Sequence, residues 1–158
     1  MSRSGARARL GGAGLAALLV VALDQLTKGL IRGRIDPGDS VELILGIELV
    51  RARNSGVAFG LLGDVGAGPL IAIAALFVAG LVWFLLTEPH EGMAVPVGLL
   101  VGGAVGNLTD RLRDGAVTDF IDLPAWPAFN VADVAITLGV GILLITLLRA
   151  EAGSSDDG

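Results

Sequence analysis

Gly106-Asn107-Leu108-Thr109-Asp110 and Phe129-Asn130-Val131-Ala132-Asp133 bracket a polar stretch between two apolar runs, and Val117-Thr118-Asp119-Phe120-Ile121-Asp122 lies between them. The runs are Met93 to Leu108 and Val131 to Leu148. Carboxylates at the ends of such runs are costly near lipid and usually serve a function. Asp24, late in an apolar run that begins at Leu10, is placed in the same way.

Working outward, the chain reads as an integral membrane protein. Of its 158 residues, 53% are hydrophobic and 17% charged, and the mean hydropathy is +0.76. These values lie outside the soluble range. We expect four transmembrane helices, at about 10–31, 65–86, 93–108 and 131–148, each matched to a hydrocarbon core of roughly 30 Å. The basic start followed by an apolar run resembles a signal peptide, but no small-residue cleavage site follows it. Gly98, Gly102 and Gly106 recur every fourth residue, a face suited to close helix contact. The insertion 32–64 reads as a small extramembrane sheet: Val41 to Leu45 and Ile47 to Arg51 are β-branched and partly alternating, with Gly46 between them. Val57 to Leu62 fits strand or loop. Thr87 to Gly92 reads as a polar turn, Asn107 to Phe129 as a second polar loop, and 150–158 as a disordered tail. One membrane domain, 1–158, accounts for the whole chain.

Four spans put both termini on one side, and Arg3, Arg7 and Arg9 before the first span place that side in the cytoplasm. Lys28, Arg32, Arg34, Arg51, Arg53, Arg111 and Arg113 then lie outside, against the usual bias, and some of them are available to substrate or lipid headgroups. The net charge of −5 and the lack of a basic stripe with interleaved aromatics exclude a nucleic-acid partner.

The chain has no cysteine and one histidine, His90. That removes thiolate chemistry and a Cys- or His-cluster metal site, and His90, beside Pro89, reads as a solvated turn residue rather than the base of a triad. Two close carboxylates remain as a route to hydrolysis without metal or cofactor. Such a pair shares one proton; the ionised acid takes a proton from water and the protonated one donates to the carbonyl oxygen or the leaving amine. If the loop folds back, Asp119 can meet Asp133. Other readings stand beside this one. Asn130 and Asp133 form a capping box on their own, Asp24 and Lys28 pair at one-turn spacing, and Ser55 with Lys28 is a rival nucleophilic dyad. A proton-coupled transporter and a structural scaffold are the alternatives from other classes.

Five blocks in order carry a resemblance: Asp24-Gln25-Leu26-Thr27-Lys28; Asn54-Ser55-Gly56-Val57-Ala58-Phe59; Gly102 to Arg111; Val117-Thr118-Asp119-Phe120-Ile121; and Pro127 to Asp133. Over nearly its whole length the chain resembles lipoprotein signal peptidase (signal peptidase II), a family of bacterial membrane aspartyl proteases. The resemblance implies four membrane helices with an outward β-sheet cradle and a catalytic dyad at Asp119 and Asp133. By motif position, Asn54, Arg111, Asn107 and Asn130 position substrate or support the dyad, and Asp24, Lys28 and Asp110 are structural. Asp110 competes for the first catalytic seat; Arg111 beside it and a helix end above it favour Asp119. The resemblance further implies a multi-pass protein of the bacterial cytoplasmic membrane with its active site facing outward. The implied substrate is a prolipoprotein cut just before its diacylglyceryl-modified cysteine. Phe59, Leu61, Leu62 and the small-residue face of the third span are the expected walls of an acyl-chain groove. Val57 stands where a small Ala is usual in the family, and 122–127 is short for it.

Overall fold

A computed structural model describes residues 3–56, 67–87 and 92–155. In chain order it contains α1 (Arg3–Arg34), β1 (Ser40–Ile44), β2 (Ile47–Asn54), α2 (Ala67–Thr87), α3 (Ala94–Asp114), β3 (Val117–Leu123), β4 (Trp126–Phe129) and α4 (Val131–Ser155). Among the described residues, three helices are long and apolar enough to cross a membrane: α1, α2 and α4. The third expected span, α3, is a helix but lacks that apolar character. It packs against all three others, so its surface answers to protein rather than to lipid and is rich in glycine and polar groups.

Small residues set how close α3 comes to its neighbours. A Cβ on Gly98 would meet Ala13 O at 2.6 Å, and one on Gly102 would meet Ala17 O at 2.8 Å. On the other side, a Cβ on Gly103 would meet Ala132 O at 2.5 Å. Backbone therefore touches backbone along α3, the packing that small residues permit in lipid. An apolar core of Ala13, Leu81, Leu85, Met93, Val97 and Leu100 fills the far end of this bundle.

The expected polar loop 107–129 is instead two further turns of α3 followed by two strands. Asn107 and Asp110 find partners on neighbouring elements, and Thr109, Arg111 and Arg113 bond within the helix itself, so these polar residues need not end it. The helix stops at Gly115, whose φ of 71° suits a left-handed cap and whose N–H donates to Arg111 O. The four strands form one antiparallel sheet in the order β1-β2-β3-β4, so the sheet draws on the later loop as well as on 32–64. Leu45 and Gly46, both with positive φ, close the first hairpin as a two-residue turn of the primed type requires. Pro124 and Ala125 (φ 61°) close the second. Ile31 and Ile35 at the end of α1 pack on Phe120 of β3 and seat the sheet on the bundle.

The tail expected to be disordered from residue 150 is helical as far as Ser155; Ala150, Glu151 and Ala152 are helix formers that extend α4. Val57 to Leu62 and most of the 87–92 turn, with His90, lie outside the described residues.

Gly102→Val should cost about 1–3 kcal/mol, since overpacking displaces backbone. It is read as a fall in thermal midpoint in detergent. Gly141→Ala, with nothing within 4 Å of the added carbon, should leave the midpoint unchanged.

Candidate active site

Lys28 is fully buried in the bundle, with Asp24 and Asp110 beside it, also fully buried. Its ammonium reaches Asp24 Oδ2 at 2.9 Å and Asp110 Oδ2 at 3.2 Å, and donates to Asn107 Oδ1 at 2.9 Å. An ammonium has three donors, and all three are engaged. Asp24 Oδ1 accepts the N–H of Ala132 at 3.0 Å, a donor that the first turn of α4 leaves without an intrahelical partner. Asp110 Oδ2 accepts the N–H of Thr118 at 3.0 Å. The cluster thus fastens α1 and α3 to the start of α4 and the start of β3. Asp110 lies inside α3, not at its end; its ties to Lys28, Gln25 and Arg32 hold it in this cluster more firmly than the neighbouring Arg111 does.

Above this cluster the asparagines link outward. Asn107 accepts from Lys28 and donates Nδ2–H to Asp133 Oδ1 at 2.8 Å. Asn130 is fully buried, and its Nδ2 donates to Asn107 Oδ1 at 3.2 Å and to Asp119 Oδ1 at 2.6 Å. Asn130 and Asp133 also exchange reciprocal cap bonds: Asp133 N–H to Asn130 Oδ1 at 3.0 Å and Asn130 N–H to Asp133 Oδ2 at 3.2 Å. One side chain therefore starts α4, holds Asp133 and holds Asp119. Asn54 completes the group by donating to Asp119 Oδ2 at 3.0 Å. Strand register explains its reach: Asn54 pairs with Val117, and Asp119, two residues on, projects from the same face.

The two acids differ electrostatically. Asp119 is 3% exposed, and burial pushes its carboxyl up to about 6; the two amide donors oppose this and the charge of Asp133 adds to it. Asp133 is half-buried in the first turn of α4, where the helix dipole favours an anion. The guanidinium of Arg111 lies in the field of both acids. Its Nε is buried without a hydrogen-bond partner among the described residues.

Among the described residues no group of three His, Cys, Asp or Glu side chains is placed to hold a metal ion. The Ser55–Lys28 alternative fails on geometry, because Lys28 is saturated and buried while Ser55 is exposed. The small-residue face of α3 is not a groove wall; α1 occupies it through Ala13, Ala16 and Ala17. Phe59, Leu61 and Leu62 lie outside the described residues. Sequence reasoning gave no part to Gln25, whose amide bonds to Asp24, Gly106 O and Asp110, and read Arg32 only as one of the outer cations, whereas it bonds to Thr118. The available signal was the one-turn spacing of Asp24, Lys28 and Arg32 along one face of an apolar helix.

A family model of signal peptidase II matches residues 16–149. The chain belongs to the signal peptidase II family. It is 46% identical over 143 residues to the lipoprotein signal peptidase of Gloeobacter violaceus, covering 87% of this chain and 82% of that one. To the lipoprotein signal peptidase of Moorella thermoacetica it is 43% identical over 138 residues, covering 85% and 91%. A solved bacterial membrane enzyme superposes with a TM-score of 0.84 at 34% identity, covering 91% of this chain and 92% of its own. Signal peptidase II enzymes are proteases. A protease without cysteine needs another source of activated nucleophile, and Asp119 and Asp133 are the acids that share a buried asparagine.

Two expectations follow. Lys28→Met should destabilise the protein by about 3–5 kcal/mol, because it strands Asp24 and Asp110 in a dry interior; melting in detergent measures it. For Asp119, the native state keeps a proton between pH 4 and about 6 that the unfolded chain has released. Stability should therefore fall as pH rises through that window, by on the order of 3 kcal/mol. Asp119→Asn should flatten this part of the profile, and an unchanged slope would refute the assignment to Asp119.

Proposed function

We propose that this chain is a membrane aspartyl endopeptidase that removes the signal peptide from diacylglyceryl-modified prolipoproteins, cutting just before the lipidated cysteine. The observation that carries the reading is the sharing of Asn130: its side-chain amide holds Asp119, and its cap bonds hold Asp133. Membership of the signal peptidase II family supports the substrate class.

In the proposed reaction Asp133 is the ionised partner and Asp119 holds the proton. Helix-dipole stabilisation of one acid and burial of the other support that division. Water between them attacks the scissile carbonyl carbon as Asp133 takes its proton. Asp119 donates to the carbonyl oxygen, and collapse of the tetrahedral intermediate passes a proton to the leaving amine. Arg111 supports the pair through the charge it sets beside both acids. Asn54, Asn107 and Asn130 position the acids, while Asp24, Lys28 and Asp110 hold the scaffold that carries them. No metal or cofactor takes part.

On this reading α3 crosses the bilayer with α1, α2 and α4, screened from lipid by them. Both termini face the cytoplasm, the carboxylate pair faces outward, and the protein resides in the bacterial inner membrane. A proton-coupled transporter would need acids spread through the bundle. Asp24, Asp110, Asp119 and Asp133 instead join one hydrogen-bonded group where α1 and α3 approach their ends and α4 begins.

Cleavage of a lipid-modified precursor in liposomes tests the proposal. Asp119→Asn and Asp133→Asn should each lower kcat by at least about 10²–10⁴-fold while the variants still insert and fold. For the parent, kcat/KM should decline as pH rises above about 6, where Asp119 loses its proton. Full activity in either Asn variant, or proton flux lost with cutting intact, would overturn it.

A further inference from the structure

The excess of outer cations is not absorbed by catalysis, and three of them meet in space. Arg32, in the last turn of α1, and Arg51 and Arg53 of β2 line a cleft of about 270 Å³ with Pro37, Asp114 and Thr118. Arg32 is engaged: its Nη1 donates to Thr118 Oγ1 at 3.1 Å and to Asp110 Oδ1 at 3.5 Å. Arg51 Nη1 donates to Arg32 O at 3.2 Å, and Arg53 Nη2 to Asp114 O at 2.7 Å. Both are backbone carbonyls, which orient a guanidinium without neutralising it. Among the described residues neither Arg51 nor Arg53 is ion-paired with a carboxylate. Asp114, the acid in the lining, gives its Oδ2 to Nε and Nη2 of Arg113 at 3.0 and 2.8 Å. The cleft therefore keeps a surplus of positive charge.

We infer that this cleft binds a phosphate group, and that the group belongs to the headgroup of an anionic phospholipid. Guanidinium forks match phosphate oxygens, and two of them fixed by carbonyls present their remaining N–H groups with little further loss of freedom. The volume lies below the about 300–1,000 Å³ typical of pockets that enclose a drug-sized ligand, which suits a headgroup rather than a peptide. Position selects the source. The cleft sits where α1 and α3 end, which on the transmembrane reading proposed above is the level of the lipid headgroups. On α1, itself long and apolar enough to cross a membrane, Leu30 and Leu26, two and six residues before Arg32, are 56% and 67% exposed, so apolar surface open to acyl chains surrounds this end of the helix. The lipid would thus pin β2, and with it the strand that carries Asn54, to the bilayer surface.

Native mass spectrometry of the full chain released from nanodiscs of mixed phosphatidylglycerol and phosphatidylcholine tests this. The parent should retain phosphatidylglycerol over phosphatidylcholine by on the order of tenfold, and the folded double variant Arg51→Gln/Arg53→Gln should lose most of that preference. Equal retention of the two lipids by the parent would overturn the proposal, whatever the variant does. So would a preference undiminished in the folded variant. In detergent, short-chain phosphatidylglycerol should raise the parent's melting temperature more than equimolar inorganic phosphate. Equal protection by phosphate would overturn the lipid assignment. None of these readouts depends on peptide cleavage, so they stand or fall apart from the proposed reaction.

Discussion

A lysine ammonium with no access to water constrains where everything around it can go. Lys28 binds Asp24, Asp110 and Asn107, and a buried charge is tolerated only while such partners stay in place. Through Asp24 the constraint reaches the first N–H groups of α4. Through Asp110 it reaches the start of β3. Through Asn107 it reaches Asp133. The ion cluster thus acts as a scaffold whose outer faces hold two acids it does not include. A buried salt bridge is weak as a source of stability; here its value is geometric, since it ties three helices and a strand together at one point.

The three-way bonding also explains why glycine recurs along α3. Gly106 lies against the Asp24 carboxylate, 2.7 Å from where a Cβ would stand, so any larger residue would push that acid away from Lys28. Gly98 and Gly102 continue the same approach down the helix. Close packing and charge pairing are therefore one requirement. The helices must touch through their backbones for side chains as short as aspartate and asparagine to meet.

Much of this was legible in the sequence, and what was not has physical causes. Runs such as Val131 to Leu148 announce helices because lipid contact demands apolar side chains. The pairing of Asp24 with Lys28 could be read from one-turn spacing, and the capping box at Asn130 from local pattern. The extension of α3 to Asp114 could not be read, because Asn107 and Asp110 are satisfied by other elements and the remaining polar residues within the helix, and hydropathy reports the solvent of a helix rather than its length. Nor could β4 be read, since Trp126-Pro127-Ala128-Phe129 has no alternation and becomes a strand only by pairing with β3. The Asn54–Asp119 bond depends on strand register across 65 residues, which no local signal encodes.

The two Asn-x-x-Asp segments show how context divides one pattern into two uses. In Asn107-Leu108-Thr109-Asp110 the motif lies within a helix, so its residues sit one turn apart on one face, and both turn toward Lys28. In Asn130-Val131-Ala132-Asp133 it begins a helix, so the asparagine closes the cap and the aspartate takes the positive end of the dipole. The first acid is consumed by cations. The second keeps a partial exposure that the first lacks. Asp119, on a strand, has neither a bonded lysine nor a helix terminus; burial, with the charge of Asp133, outweighs its two amide donors and the more distant Lys28, and its pKa rises as a result. The two carboxyls are thus set in unlike surroundings, and the difference arises from the secondary structure on which each is mounted.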